Sequence, residues 1–159
     1  MRILPLCAIV AATVLAIGCT RQEPPAAPLA PPAPLSGWTT DDSTAVAQSL
    51  IDASLADPWS GRFKDRAGRV PVVAMGALED RTGDHVDVAS FAQALSARLA
   101  TSPAVALAGT DQAADVTVSG TISLVKVQGE ARFQVDLRLR NASGDAEWQS
   151  GLERPRQTP

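Results

Sequence analysis

Hydrophobic positions change their period several times along this chain, and each change predicts an element. Arg2 precedes an apolar run from Ile3 to Ile17. That run is short of the roughly 20 residues needed to cross a hydrocarbon core and suits the h-region of a secretory signal, predicted over 1–18. From Arg21 to Gly37 the sequence RQEPPAAPLAPPAPLSG carries no apolar period. It predicts a tether over 19–37, semi-rigid because of its prolines. One domain, 38–159, remains.

Within that domain, Val46, Leu50, Ile51 and Ala53 fall on one side at helical spacing, with Thr40 as the expected N-cap, Asp41 and Asp42 in the first turn and Asp57-Pro58 as the stop. Trp38 and Trp59 flank this helix as packing residues. Gly61 to Arg69 reads as a basic polar loop, and Val70 to Leu78 as a buried strand. Asp87 caps a second helix on which Phe91, Leu95 and Leu99 repeat at i, i+4, i+8, before Ser102-Pro103 ends it. A short strand is expected around Ala104 to Leu107, then a turn from Asp111 to Asp115. The last third alternates strictly. Val116, Val118, Ile122 and Leu124 interleave with Thr117, Ser119, Thr121 and Ser123, and Phe133, Val135, Leu137 and Leu139 interleave with Arg132, Gln134, Asp136, Arg138 and Arg140. Gln128-Gly129-Glu130 joins the two as a hairpin, and Asn141 to Asp145 turns into a final strand with Trp148. Alternation of this kind requires one dry and one wet sheet face. The expected fold is α+β, a two-layer domain with a mainly antiparallel sheet of four to five strands and two helices packed on one face.

Charge and cysteine content narrow the chemistry. Fourteen basic against 17 acidic residues give −3 at pH 7, and losing a signal that contains only Arg2 makes the chain more acidic. Nucleic-acid binders are typically basic, so no nucleic-acid partner is expected. Cys7 lies in the signal, which leaves Cys19 as the lone thiol and His85 as the lone imidazole. Neither a disulfide nor a Cys/His metal site can be built from them, and no cofactor is expected.

Leu15-Ala16-Ile17-Gly18-Cys19 resembles the lipobox of bacterial lipoproteins, whose cysteine accepts a diacylglycerol. The resemblance implies cleavage before Cys19, acylation there, including palmitate, and, with Thr20 rather than Asp next, sorting to the outer membrane facing the periplasm. Two or three acyl chains make such an anchor effectively permanent. At about 3.1 Å per residue, a polyproline II tether from Thr20 to Gly37 reaches at most about 56 Å.

Asp80, Asp84, His85 and Asp87, with Ser90 one turn beyond, form the best candidate for catalysis, but no nucleophile elbow of the G-x-S-x-G kind accompanies them. The loop also lacks the full carboxylate alternation of a calcium-binding EF-hand, so no catalytic residue and no metal ligand is assigned. Asn141-Ala142-Ser143 reads as a turn rather than a glycan site. The candidate binding face is the wet side of the hairpin strand, Arg132, Arg138 and Arg140, suited to an acidic partner surface.

The succession of helix, apolar strand, Asp80-Arg81-Thr82, His85-Val86-Asp87, amphipathic helix, Ala114-Asp115-Val116, Gly120, long hairpin, Gly144 and Trp148 is similar to the LpoB-type outer-membrane lipoproteins that activate penicillin-binding proteins. The resemblance runs from about Trp38 to Glu153. It implies a noncatalytic lipoprotein that binds a bifunctional peptidoglycan synthase and raises its polymerising and cross-linking rates. An alternative of another class is a structural or assembly lipoprotein of a flagellar or secretion apparatus. A pore-forming secretion subunit would need transmembrane hairpins beyond this core.

Overall fold

In the computed structural model, which describes residues 37–156, the first amphipathic segment folds as helix α1, Thr40–Ala56. The signal, Cys19 and the tether up to residue 36 lie outside the described residues. The cap sits one residue earlier than Thr40. Thr39 accepts from the Asp42 backbone N–H while the Asp42 carboxylate accepts from the Thr39 backbone N–H, a reciprocal capping box. Val46, Leu50 and Ile51 are buried as expected, but Ala53 is exposed and Ser54 is buried in its place, its hydroxyl bonded to the Ile51 carbonyl.

The segment expected as a basic loop is instead a second helix, α2, Trp59–Ala67. It buries only Trp59 and Ser60, so it shows no apolar stripe along its length. Local bonds and end contacts define it. Asp57 Oδ1 accepts from the Trp59 N–H at 3.0 Å, Gly68 closes the last turn with φ 70° and its N–H on the Lys64 carbonyl, and the Arg69 guanidinium lies 5.5 Å from the Phe63 ring centre. Trp59 itself is fully buried, with Nε1 donating to the Ser54 carbonyl at 2.8 Å. At the other end of α1, Trp38 packs edge-on against Phe91 and Phe133. Both tryptophans are packing residues.

Strand β1, Val72–Arg81, is followed by α3, Val88–Ala100, then β2, Ala106–Leu107, β3, Val116–Val127, β4, Glu130–Asn141, and β5, Ala146–Pro155. The sheet order is β2-β1-β3-β4-β5. Its hairpin half is antiparallel, but β1 runs parallel to both β2 and β3. The sheet is therefore mixed, because α3 carries the chain back to the start of β1 before β2 and β3 begin. Among the described residues three helices rather than two accompany it, and the α+β class stands.

Asp87 caps α3 through the Ala89 and Ser90 N–H groups, and Phe91, Leu95 and Leu99 are fully buried. They meet Val116, Val118, Ile122, Phe133, Val135, Leu137 and Leu139 in one core. Arg98 on α3 reaches Asp52 on α1 at 2.7 Å, tying the helix layer together. Between Met75 and Leu78 the register of β1 against β3 slips by one residue, a bulge at Gly76-Ala77. Val73 and Met75 face the core before it, Leu78 after it. An uninterrupted apolar run hides this switch of phase. Gly120 fits beneath the bulge, since a Cβ there would lie 2.9 Å from the Asp136 carbonyl and 3.1 Å from Leu78 Cδ2.

Candidate functional site

The bulge decides what the outer side of the sheet displays. After it, Ala77, Glu79 and Arg81 point away from the helices, beside the hydroxyls of β3 and the polar side chains of β4. Cross-strand register then sets the face out in rows. Glu79, Thr121, Asp136 and Gly151 share one row, and Arg81, Ser123, Gln134 and Glu153 share the next toward the hairpin. In the opposite direction come Ser119, Arg138 and Gln149, then Thr117, Arg140 and Ala146. The centre is a shallow concavity of about 450 Å³.

Among the three arginines of the candidate face, the structure separates one from the other two. Arg132 is held between Glu130 and Glu153, 3.7 Å from each. Arg138 and Arg140 are exposed; Arg140 donates to the Gly144 carbonyl at 2.7 Å, and the Arg138 guanidinium makes no hydrogen bond or ion pair among the described residues. Arg62, Arg66, Arg69, Arg81, Arg98, Arg132, Arg154 and Arg156 all lie within 4 Å of a carboxylate. Among the described residues, Arg138 and Arg140 are the arginines without an ion pair, and they are neighbours on one open face. Sequence alternation puts all three on the wet side but carries no record of which charges the fold neutralises.

The loop residues considered for catalysis are all engaged in shaping the backbone or left idle at the surface. Asp80 accepts from the Thr82 N–H and hydroxyl and, through its other oxygen, from the Val86 N–H. Burial pushes its carboxyl up, but those bonds and the nearby His85 outweigh burial and hold it below the usual carboxylate range. Asp84 pairs with Arg156 at 2.8 Å. The Ser90 hydroxyl donates to Asp87, which with the backbone bonds at the helix start lowers that carboxyl too. His85 is exposed with φ 55° and bonds no backbone group. A relay needs a base within reach of a nucleophile, and Ser90 is instead spoken for by the cap. Among the described residues no group of three or more His, Cys, Asp or Glu side chains could hold a metal.

Asp115, read from the sequence as the end of a turn and part of Ala114-Asp115-Val116, has in addition a structural role that its sequence context did not assign. Its carboxylate takes a two-pronged bond from Arg69 at 2.6 and 2.8 Å and the Val72 N–H at 2.8 Å, fastening the start of β1 to that of β3. The Arg69 bonds lead in holding its carboxyl below the usual range against partial burial. A lone carboxylate before a strand, between Ala114 and Val116, was the available signal.

One protein-family model, described as peptidoglycan-synthase activator LpoB, matches residues 42–132, more than half of the chain. The match runs from the first turn of α1 into β4. Among solved structures, the C-terminal domain of LpoB from Escherichia coli is 14% identical, the match covering 70% of this chain and 97% of that one at a TM-score of 0.49. For the same domain from Salmonella enterica the figures are 12%, 62%, 93% and 0.44. The NMR structure of E. coli LpoB is 15% identical over 97% of this chain and 85% of its own, at 0.47. No curated protein matches the chain.

Proposed function

The chain belongs to the LpoB family of peptidoglycan-synthase activators, and from that premise we propose that it is an outer-membrane lipoprotein that binds a penicillin-binding protein and raises its activity. The family is one of regulators, not of enzymes, so the chemistry belongs to the partner. The observation that carries the reading is the family match over 42–132. It takes in α1 from Asp42, α2, β1, α3, β2 and β3 and ends at Arg132 near the start of β4, so it supports the reading through the shared domain rather than through Asp136, Arg138 and Arg140.

Anchoring follows from residues outside the described structure. Cys19, at the end of Leu15-Ala16-Ile17-Gly18, takes the acyl chains, and the Pro/Ala-rich stretch after it holds the domain off the membrane toward the periplasm. Radiolabelled palmitate is expected to label the wild-type protein and not Cys19→Ala. Labelling that persists in the variant overturns the anchor.

For the docking surface we take Arg138 and Arg140, since unpaired guanidiniums on a rigid sheet are ready to receive carboxylates bidentately. With a purified bifunctional synthase from the same cells, the wild-type domain is expected to co-purify and to speed glycan polymerisation. Arg138→Glu combined with Arg140→Glu should melt within a few degrees of the wild type, because both side chains are exposed and neither holds a structural ion pair. It should no longer capture the synthase. Unchanged capture removes this face, and a wild type that captures without accelerating places the protein with assembly lipoproteins instead.

A further inference from the structure

The open face carries charges of both signs in a fixed order, and that order describes its partner more closely than the arginines alone. Along β4 the outward side chains read Arg140, Arg138, Asp136, Gln134, spaced about 6.6 Å apart as alternate residues of a strand. Arg138 and Asp136 are therefore adjacent opposite charges, yet they form no ion pair. Asp136 instead accepts from the neutral Gln134 amide at 3.1 Å, which leaves its charge intact. Across Thr121 from Asp136 stands Glu79, whose charge is offset by Arg81 at 2.6 Å. The face thus has a guanidinium pole at Arg138 and Arg140 and a carboxylate pole centred on Asp136.

Beside the two poles, on β3, the floor of the concavity is made of Ser119, Gly120 and Thr121. Side chains this small let a partner's backbone come close to the sheet. No aromatic residue lines the concavity, so neither a sugar ring nor a base has a stacking surface there.

We infer that the occupant is a protein surface of the synthase presenting a carboxylate and a cation about one strand row apart, the carboxylate against Arg138 and Arg140 and the cation against Asp136. This rests on the reading of the chain as a synthase activator and names the chemistry of its docking site. An acidic partner surface, the simpler expectation from the arginines, would be repelled by Asp136, because like charges brought together across an interface oppose binding.

Exchanging the poles separates the two cases. The variant Asp136→Arg with Arg138→Asp keeps composition and net charge while reversing the order. Its capture of the purified synthase is expected to weaken at least tenfold at low salt, and that of Asp136→Asn to weaken severalfold. Capture by the exchanged variant equal to wild type, or capture by Asp136→Asn that is unchanged or tighter, overturns the inference. Should the exchanged variant fail to fold, Asp136→Asn decides alone. Wild-type protein that captures no synthase overturns the functional reading, and this proposal with it. Capture that is lost in the arginine-to-glutamate variant but unchanged in Asp136→Asn overturns only this proposal.

Discussion

Replacing Phe133 by alanine is expected to remove about 3–5 kcal/mol of unfolding free energy, much of what a domain of this size possesses. The ring is 1% exposed, on the core side of β4, and meets Trp38 edge-on with centroids 5.2 Å apart and planes at 80°. Truncation forfeits the buried area, the edge-to-face contact and part of the packing of Trp38, which also donates its Nε1–H to the Ser43 hydroxyl at 2.7 Å and meets Phe91 edge-on. The cavity would lie where the helix layer meets the sheet, between Phe91 and β4, and a close-packed core collapses onto such a space only in part. Urea unfolding should show the midpoint falling with an unchanged slope. Arg140→Ala, outward on the same strand, should stay within about 0.5 kcal/mol of wild type. A loss below about 1.5 kcal/mol for Phe133→Ala would mean that the core is less tightly built around Trp38 than its burial indicates.

Phe133 also shows what could be read from sequence. The period-2 pattern of β3 and β4 put every inward residue on the correct side, because a two-residue hairpin loop leaves register little freedom. In that loop Gln128 and Gly129 have φ of 52° and 89°, the positive values a type I′ turn needs. The i, i+4, i+8 repeat of α3 was equally legible. α2 was not, since its sequence WSGRFKDRA buries one end and exposes the rest, and its stability comes from Asp57, Gly68 and the Phe63–Arg69 contact.

The parallel course of β1 was hidden for a different reason. Nothing in Val72 to Leu78 records whether its neighbours run with it or against it; the parallel arrangement follows from the return path through α3. The bulge at Gly76-Ala77 was hidden likewise inside an apolar run, and it aims Glu79 and Arg81 outward. The candidate face was therefore visible as a set of residues but not as a pattern of paired and unpaired charge. Ion pairs such as Arg69–Asp115 join residues far apart in the chain, and only the folded register shows which guanidiniums remain free.

Asp42→Ala should destabilise the domain by about 2–4 kcal/mol, the sum of a lost capping partner and of charge-assisted bonds at a buried site. Asp42 is 3% exposed, yet it serves two masters. One oxygen accepts from the Thr39 N–H and hydroxyl, both at 2.9 Å, and the other accepts from Arg154 of β5. It thereby fastens the start of the first helix to the last strand, and its removal also leaves the half-buried Arg154 without its partner. Burial raises the carboxyl, but the Thr39 and Arg154 bonds outweigh burial and keep it below the usual 3.8. A carboxyl depressed in the folded state adds stability that is fully present above its unfolded value and is lost as pH falls through its folded one. The gap in unfolding free energy between wild type and Asp42→Asn should therefore be complete at neutral pH, where both states of the wild type are ionised. It should begin to close below about pH 4, as the unfolded chain starts to take up a proton that the folded Asp42 resists. Urea titrations at neutral pH and at about pH 3 measure it directly. A gap of the same size at both would mean that Asp42 contributes as a neutral hydrogen-bond acceptor and that its charge, with the Arg154 pair, adds nothing.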